Sequence, residues 1–342
     1  MKVIFLFAMA AVFVVSASSQ NADDKAFKVV SYNVENLFDC VDDSLTNDAE
    51  FLPGGMRGWN YEKYQRKLNN IGRVITAIGG WNPPAVIGLC EIESCKCLYD
   101  LTRNSGLKNL NYKFVHHESP DLRGVDVALL YRPDKFKVLT ERPLSIHFPD
   151  APNSKTRDLL YVSGQVPTGD TLHVFVCHFP SRLGGELESE DKRLFVASVL
   201  RHAVDSIYKL DISPNILIMG DFNDYPDNES MKTVLGARVP DENTNPGFLY
   251  NMMYDFHKNG KGTHKQAGEW GALDQMIVSG TLLNTKNKFS LSLSDVHIFD
   301  AEFLLETDEK GLGKKPFRTY VGMKYNGGFA DHLPVYADFK YQ

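Results

Sequence analysis

Asp221, Asn223 and Asp224, in the stretch GDFNDY from Gly220 to Tyr225, follow directly on the apolar run Ile216 to Met219. Such a run reads as a buried strand, so two carboxylates and an amide stand at its mouth, where oxygen groups suit a cation or a phosphate-cleaving reaction. Gly, Asp and Asn are also ordinary turn residues after any strand. Repetition separates the two readings. Val29 to Tyr32 runs into Asn33, Ala85 to Cys90 into Glu91, His173 to Cys177 into His178, and Gly271 to Leu273 into Asp274, while Asp331 and His332 stand just before the apolar stretch Leu333 to Ala337.

Groups so far apart in the chain form one site only if the strand ends meet. Tyr64, Leu68, Ile71, Ile75 and Ile78 recur at helical steps, as do Val196, Leu200, Ala203 and Ile207, and each helix precedes a strand that ends in a polar residue. Between them, Val125 to Tyr131, Leu159 to Val166 and Leu172 to Cys177 read as consecutive strands separated by turn signals, which suggests antiparallel pairing. This mixture predicts an α/β fold of two mixed sheets packed together with helices outside, whose strand ends converge at one edge.

The 342 residues show no linker or composition shift, and we read residues 20–342 as a single domain. Residues 1–19 carry a lysine at position 2, an apolar core from Val3 to Val15, and small residues at Ala17 and Ser19. That is the pattern of a signal peptide and predicts an exported protein, periplasmic or secreted, with no stable membrane association. The net charge of −6 argues against a tight non-specific duplex binder. Of the five cysteines, Cys90 and Cys177 fall in apolar runs and read as buried thiols, and Cys95 and Cys97 are too close together for the usual zinc knuckle.

In order, the motifs are SYNVEN (Ser31 to Asn36), LCEIE (Leu89 to Glu93), RGVDVALLYRP (Arg123 to Pro133), CHFPSR (Cys177 to Arg182), GDFND (Gly220 to Asp224), ALDQMIV (Ala272 to Val278) and ADHLP (Ala330 to Pro334). The set resembles the endonuclease/exonuclease/phosphatase (DNase I-like) superfamily, which includes pancreatic-type DNases, abasic-site endonucleases, inositol polyphosphate 5-phosphatases and bacterial sphingomyelinases. The resemblance covers about residues 27 to 340. It implies a four-layer α/β sandwich that uses Mg²⁺ or Mn²⁺ to hydrolyse a phosphoester.

The resemblance also implies roles. Glu91 matches the principal metal ligand, Asn33 the amide beside it and Asp331 a further metal candidate, with Glu35 where some relatives place a second acid. His332 and Asp274 match a His/Asp dyad, Asp221 the residue that orients or deprotonates water, and Asn223 and His178 contacts to the phosphate. Whether Asp221 or His332 is the base stays open. Arg182, on a glycine-flanked loop, and Arg123 and Arg157 near strand starts are candidate substrate contacts, because guanidinium forks suit phosphate oxygens. Tyr112, His116 and His117 read either as pocket lining or as a strand edge.

The expected activity is phosphodiester hydrolysis of a nuclease-like kind on DNA or RNA. The alternatives are small phosphorylated molecules (nucleotides, inositol phosphates), a phospholipid headgroup approached by an apolar loop at Phe51 to Pro53 with Trp59, or a non-catalytic binding protein on the same scaffold.

Overall fold

Strand β1 (Ala26–Leu37) is buried along almost its whole length, because it lies inside a sheet covered on both faces. The computed structural model describes residues 26–342 apart from Leu183 and Glu242, so the expected export segment, 1–19, lies outside the described residues. β1 pairs in parallel with β2 (Val86–Ile92), and β2 pairs antiparallel with β4 (Asp126–Tyr131), which pairs with β3 (Lys113–His116). A second sheet runs from β5 (Lys137–Leu144) through β6 (Leu159–Gln165) and β7 (Thr171–His178) to β8 (Asn215–Asp221), with β7 and β8 parallel. Beyond β8 it continues through later strands, β9 (Ala237–Arg238), β10 (Leu249–Asn251) and β11 (Asp274–Ser279), of which β11 pairs with β8. The first sheet is completed by β12 (Phe289–Ser290), β13 (Val296–Ile298) and β14 (Val335–Tyr341), the last antiparallel to β1.

A parallel pair needs a crossover, and a helix supplies it for β1 and β2 and for β7 and β8. α1 (Tyr61–Gly79) joins β1 to β2 and starts at Asn60, whose side chain accepts from the Lys63 N–H at 3.0 Å; α2 (Cys95–Arg103) follows β2, and α3 (Glu186–Tyr208) joins β7 to β8. Val29, Val86 and Leu129 of one sheet meet Val174, Leu217 and Met219 of the other in the central core. α1 and α2 cover the first sheet's outer face, and α3 covers the second's. The result is the four-layer α/β sandwich of DNase I-like type. At Gly88 the sheets approach so closely that a Cβ would stand 2.8 Å from the Met219 methyl group.

Three local expectations are corrected. The run Val125 to Tyr131 does not join Leu159 to Val166 and Leu172 to Cys177 in one sheet: β4 belongs to the first, and the exposed strand β5 takes the place beside β6. In α3 the buried stripe passes through Val204, with Ala203 half-buried. Asp274 opens β11 instead of ending a strand, and it reaches the common edge because an antiparallel strand begins where its neighbour ends. All five cysteines are free thiols. No helix among the described residues is long and apolar enough to cross a membrane.

Candidate active site

Parallel strands β1 and β2, and β7 and β8, deliver Asn33, Glu91, His178 and Asp221 to one edge, and the antiparallel β11 and β14 begin there. Gly220 is required just before Asp221: with φ +141° its backbone lies against the Cys177 carbonyl, where a Cβ would collide. Six described non-glycine residues have positive φ, and four belong to this edge: Glu35 (55°), Asn36 (57°), Glu91 (67°) and Asn223 (49°). Such backbone costs on the order of 1 kcal/mol or more per residue and persists where its surroundings enforce it.

The geometry of this edge centres on Asp221. Its Oδ2 accepts from Asn33 Nδ2 at 3.1 Å and its Oδ1 from the Asn223 N–H at 2.9 Å. The His178 and His332 Nε2 atoms stand 3.7 and 3.9 Å from Oδ2. Burial, with Asp274 adding to it against His332 and the hydrogen bonds, pushes the Asp221 carboxyl up to about 6. For His332, burial works against the charge, but Asp274, Asp221 and Asp331 outweigh it and hold the imidazole well above its ordinary value. His332 Nδ1 lies 2.6 Å from Asp274 Oδ2, which also accepts from Thr263 Oγ1 at 2.6 Å. His178 behaves oppositely: burial, Arg157, Arg123 and His332 push it well below its ordinary value, so it is neutral.

A second group is acidic. Glu91 Oε2 accepts from the Asn36 N–H at 2.8 Å, and Oε1 faces His178 Nε2 at 3.9 Å. Glu35 accepts from the Thr319 N–H at 2.7 Å; burial and then Asp331 raise its carboxyl, against Lys67 and Arg318. Asp331 pairs with Arg318 Nη2 at 2.7 Å and is lowered overall, His332 and Arg318 overcoming its burial. Beneath them Lys67 Nζ donates to Thr319 Oγ1 at 2.6 Å, and burial lowers it to about 8 even though Glu35, Asp331 and Glu91 oppose the shift. Asn33 Oδ1 accepts from the Glu35 N–H at 3.0 Å, which turns the amide toward Asp221 as a carboxylate holder. Glu91, with Oε1 not taken by a backbone donor, offers the hard carboxylate oxygen that a divalent cation prefers.

The arginines have protein partners. Arg157 is buried, pairs with Asp121 Oδ2 at 2.9 Å and donates to the Phe179 carbonyl, which Asn223 Nδ2 also reaches at 3.1 Å. Arg182 donates through Nε to the Asn223 carbonyl at 2.7 Å and through Nη2 to Asp224 and Asn228, with its guanidinium over the Tyr225 ring. Arg123 is the one whose side chain is about half exposed (49%), with its Nε 3.8 Å from Asp121. Tyr112 is buried and donates to the Pro84 carbonyl.

Four residues escaped the sequence reading. Thr263 and His264 carry no motif, yet Thr263 holds Asp274, and the His264 ring lies 4.8 Å from that of His332. His264, Asp331 and His332 offer ligand atoms within 4.8 Å of one another. Arg318 sits thirteen residues before Asp331 without a pattern. Lys67 alone was signalled, as a charge on the buried stripe of α1 beside Tyr64 and Leu68.

Solved structures with this fold include a Bacteroides thetaiotaomicron mannosyl-6-phosphatase (15% identity, TM-score 0.56, covering 92% of this chain and 100% of that one). Others are the human Nocturnin catalytic domain with bound sulfate (15%, 0.55, 93% and 95%) and a truncated Caenorhabditis elegans TDP2 (16%, 0.54, 94% and 99%). No curated protein sequence matches the chain. Residues 28–340, which span every strand end that meets at this edge, match the model of the Endonuclease/Exonuclease/phosphatase family, and the chain belongs to that family.

Proposed function

We propose that the protein is an exported, Mg²⁺- or Mn²⁺-dependent hydrolase of phosphodiesters, nuclease-like in its reaction. The observation that carries the hydrolytic reading is a facing pair suited to proton transfer: a carboxyl pushed up to about 6 at Asp221, and an imidazole held protonated at His332, 3.9 Å away. A carboxylate that can take a proton near neutral pH and an imidazole that holds one can divide base and acid work between them. Asp221 takes the proton of the attacking water, oriented by Asn33 and the Asn223 N–H. His332, steadied through Nδ1 by Asp274, presents Nε2–H to a phosphoryl oxygen. Neutral His178 and the Asn223 amide donate to the non-bridging oxygens as charge builds up there. Glu91, with Asn33 and Asp331 beside it, would hold the cation, which when bound supplies Lewis-acid polarisation of the phosphate.

A second reading, hydrolysis of a small phosphorylated molecule, is favoured by the arginines: Arg157 and Arg182 turn inward to protein groups, so no basic track leads away from the site through them. The mannosyl-6-phosphatase shows that this fold accommodates such a reaction. Phe51 and Trp59, on which a lipid-facing loop would rest, are buried.

One assay series tests both readings. Plasmid DNA, RNA, nucleotides, sugar and inositol phosphates and sphingomyelin are incubated with Mg²⁺, with Mn²⁺ or with chelator. Metal-dependent cleavage of the nucleic acids supports the first reading, and monoester hydrolysis alone supports the second. Turnover undiminished by chelator would remove the metal from both. Sequencing the N-terminus of the mature protein tests export, and an intact Met1 start would refute it.

A further inference from the structure

The turn between β3 and β4 gathers groups that the reaction does not use. His116 ends β3, Asp126 opens β4, and Glu118 stands between them. The His116 side chain is only 1% exposed, and its Nε2 is buried without a hydrogen-bond partner. That nitrogen faces Asp126 Oδ2 at 3.3 Å. Asp126 presents Oδ2 because Oδ1 is occupied by the N–H and hydroxyl of Ser119. The other ring nitrogen, Nδ1, lies 3.4 Å from Cys95 Sγ and 3.8 Å from Glu118 Oε1, so the exposed Glu118 side chain must swing toward Nε2 to join an ion there. His116, Glu118 and Asp126 together offer ligand atoms within 4.8 Å of one another. An orphaned buried nitrogen demands an explanation. Two ligands about 2.0–2.1 Å from a tetrahedral zinc ion stand about 3.3 Å apart, which is the separation found here.

We propose that His116 Nε2, Asp126 Oδ2 and the Glu118 carboxylate form a second metal site, for a divalent transition ion of the zinc class, separate from the cation site at Glu91. The imidazole selects a borderline ion over a hard one, and the two acids balance its charge. Cys95 acts from outside, its sulfur 3.4 Å from Nδ1; a metal at Nε2 requires the tautomer in which Nδ1 carries the proton and shares it with that sulfur.

The site would act on the reaction by position. An ion held by Glu118 and Asp126 would tie down the loop that carries Asp121, and Asp121 fixes Arg157 against the Phe179 carbonyl that Asn223 shares. The full chain, saturated with Mg²⁺, should bind one Zn²⁺ in calorimetric titration. Glu118→Gln, at an exposed side chain whose change leaves the fold intact, should weaken Zn²⁺ binding about tenfold or more, and Asp126→Asn likewise. Glu91→Gln should leave this event in place, and Zn²⁺ should slow hydrogen exchange in residues 117–125. Parent-like Zn²⁺ affinity in Glu118→Gln, or disappearance of the event in Glu91→Gln, overturns the assignment.

Discussion

Asp221 and Asp274 lie directly opposite one another in the antiparallel pair of β8 and β11, one closing its strand and the other opening its own. His332 spans the pair, with Nδ1 2.6 Å from Asp274 and Nε2 3.9 Å from Asp221. Two buried carboxylates in register would repel each other strongly, so the sheet register itself creates the demand for a cation that the imidazolium meets.

That arrangement makes Asp274 and His332 one unit. His332→Ala and Asp274→Ala should each lower kcat by roughly 10²-fold or more, and the double variant should be little worse than the poorer single one. A double-mutant cycle in kcat measures this. Fully additive losses would separate the two residues.

Asp221 predicts pH dependence in activity and in stability. With its carboxyl near 6, kcat/KM should fall as pH drops through that value. Its folded value lies above the unfolded one of about 3.9, so protonation favours the fold and that contribution is lost as pH rises through about 6. In chelator, Asp221→Asn should therefore be more stable than the parent at pH 8 and no more stable at pH 4. Urea unfolding at both values checks it; a gain that does not grow with pH contradicts the burial argument.

Glu91→Gln keeps volume and the hydrogen bond from Asn36 but removes the anion. Calorimetric Mg²⁺ titration should show affinity lost by roughly tenfold or more, with the unfolding midpoint in chelator unchanged. Parent-like Mg²⁺ binding would move the metal elsewhere.

Arg182 holds the Asn223 carbonyl, Asp224 and Asn228, so it should act as a positioning residue. Arg182→Lys loses the planar fork, and kcat should fall while KM stays near the parent value and Tm drops. A rise in KM at constant kcat and Tm would instead mean direct substrate contact.

The sequence made the layered fold legible because each strand carrying a candidate residue is a continuous apolar run, and because both helices show their buried stripes. The site was legible as far as its residues end or begin such runs, as Asn33, Glu91, His178 and Asp221 do. What escaped depends on contacts between distant segments. Thr263 reaches Asp274 from a short two-stranded excursion, and Arg318 meets Glu35 across 283 residues. The arginine partners were hidden for the same reason: Asp121 and the Phe179 and Asn223 carbonyls have no local signal. β5 was missed because none of its eight residues is buried and four of them are polar, the pattern of an edge strand.

The left-handed backbone at Glu35, Asn36, Glu91 and Asn223 bears on how this lineage can drift. Glycine adopts that conformation without steric cost, so at Glu35 and Glu91 the backbone alone favours the one residue that can do no chemistry. A gene duplicate relieved of its reaction loses one reason to keep acids on that backbone. Side chains retained at these positions in any descendant therefore mark a copy that still works.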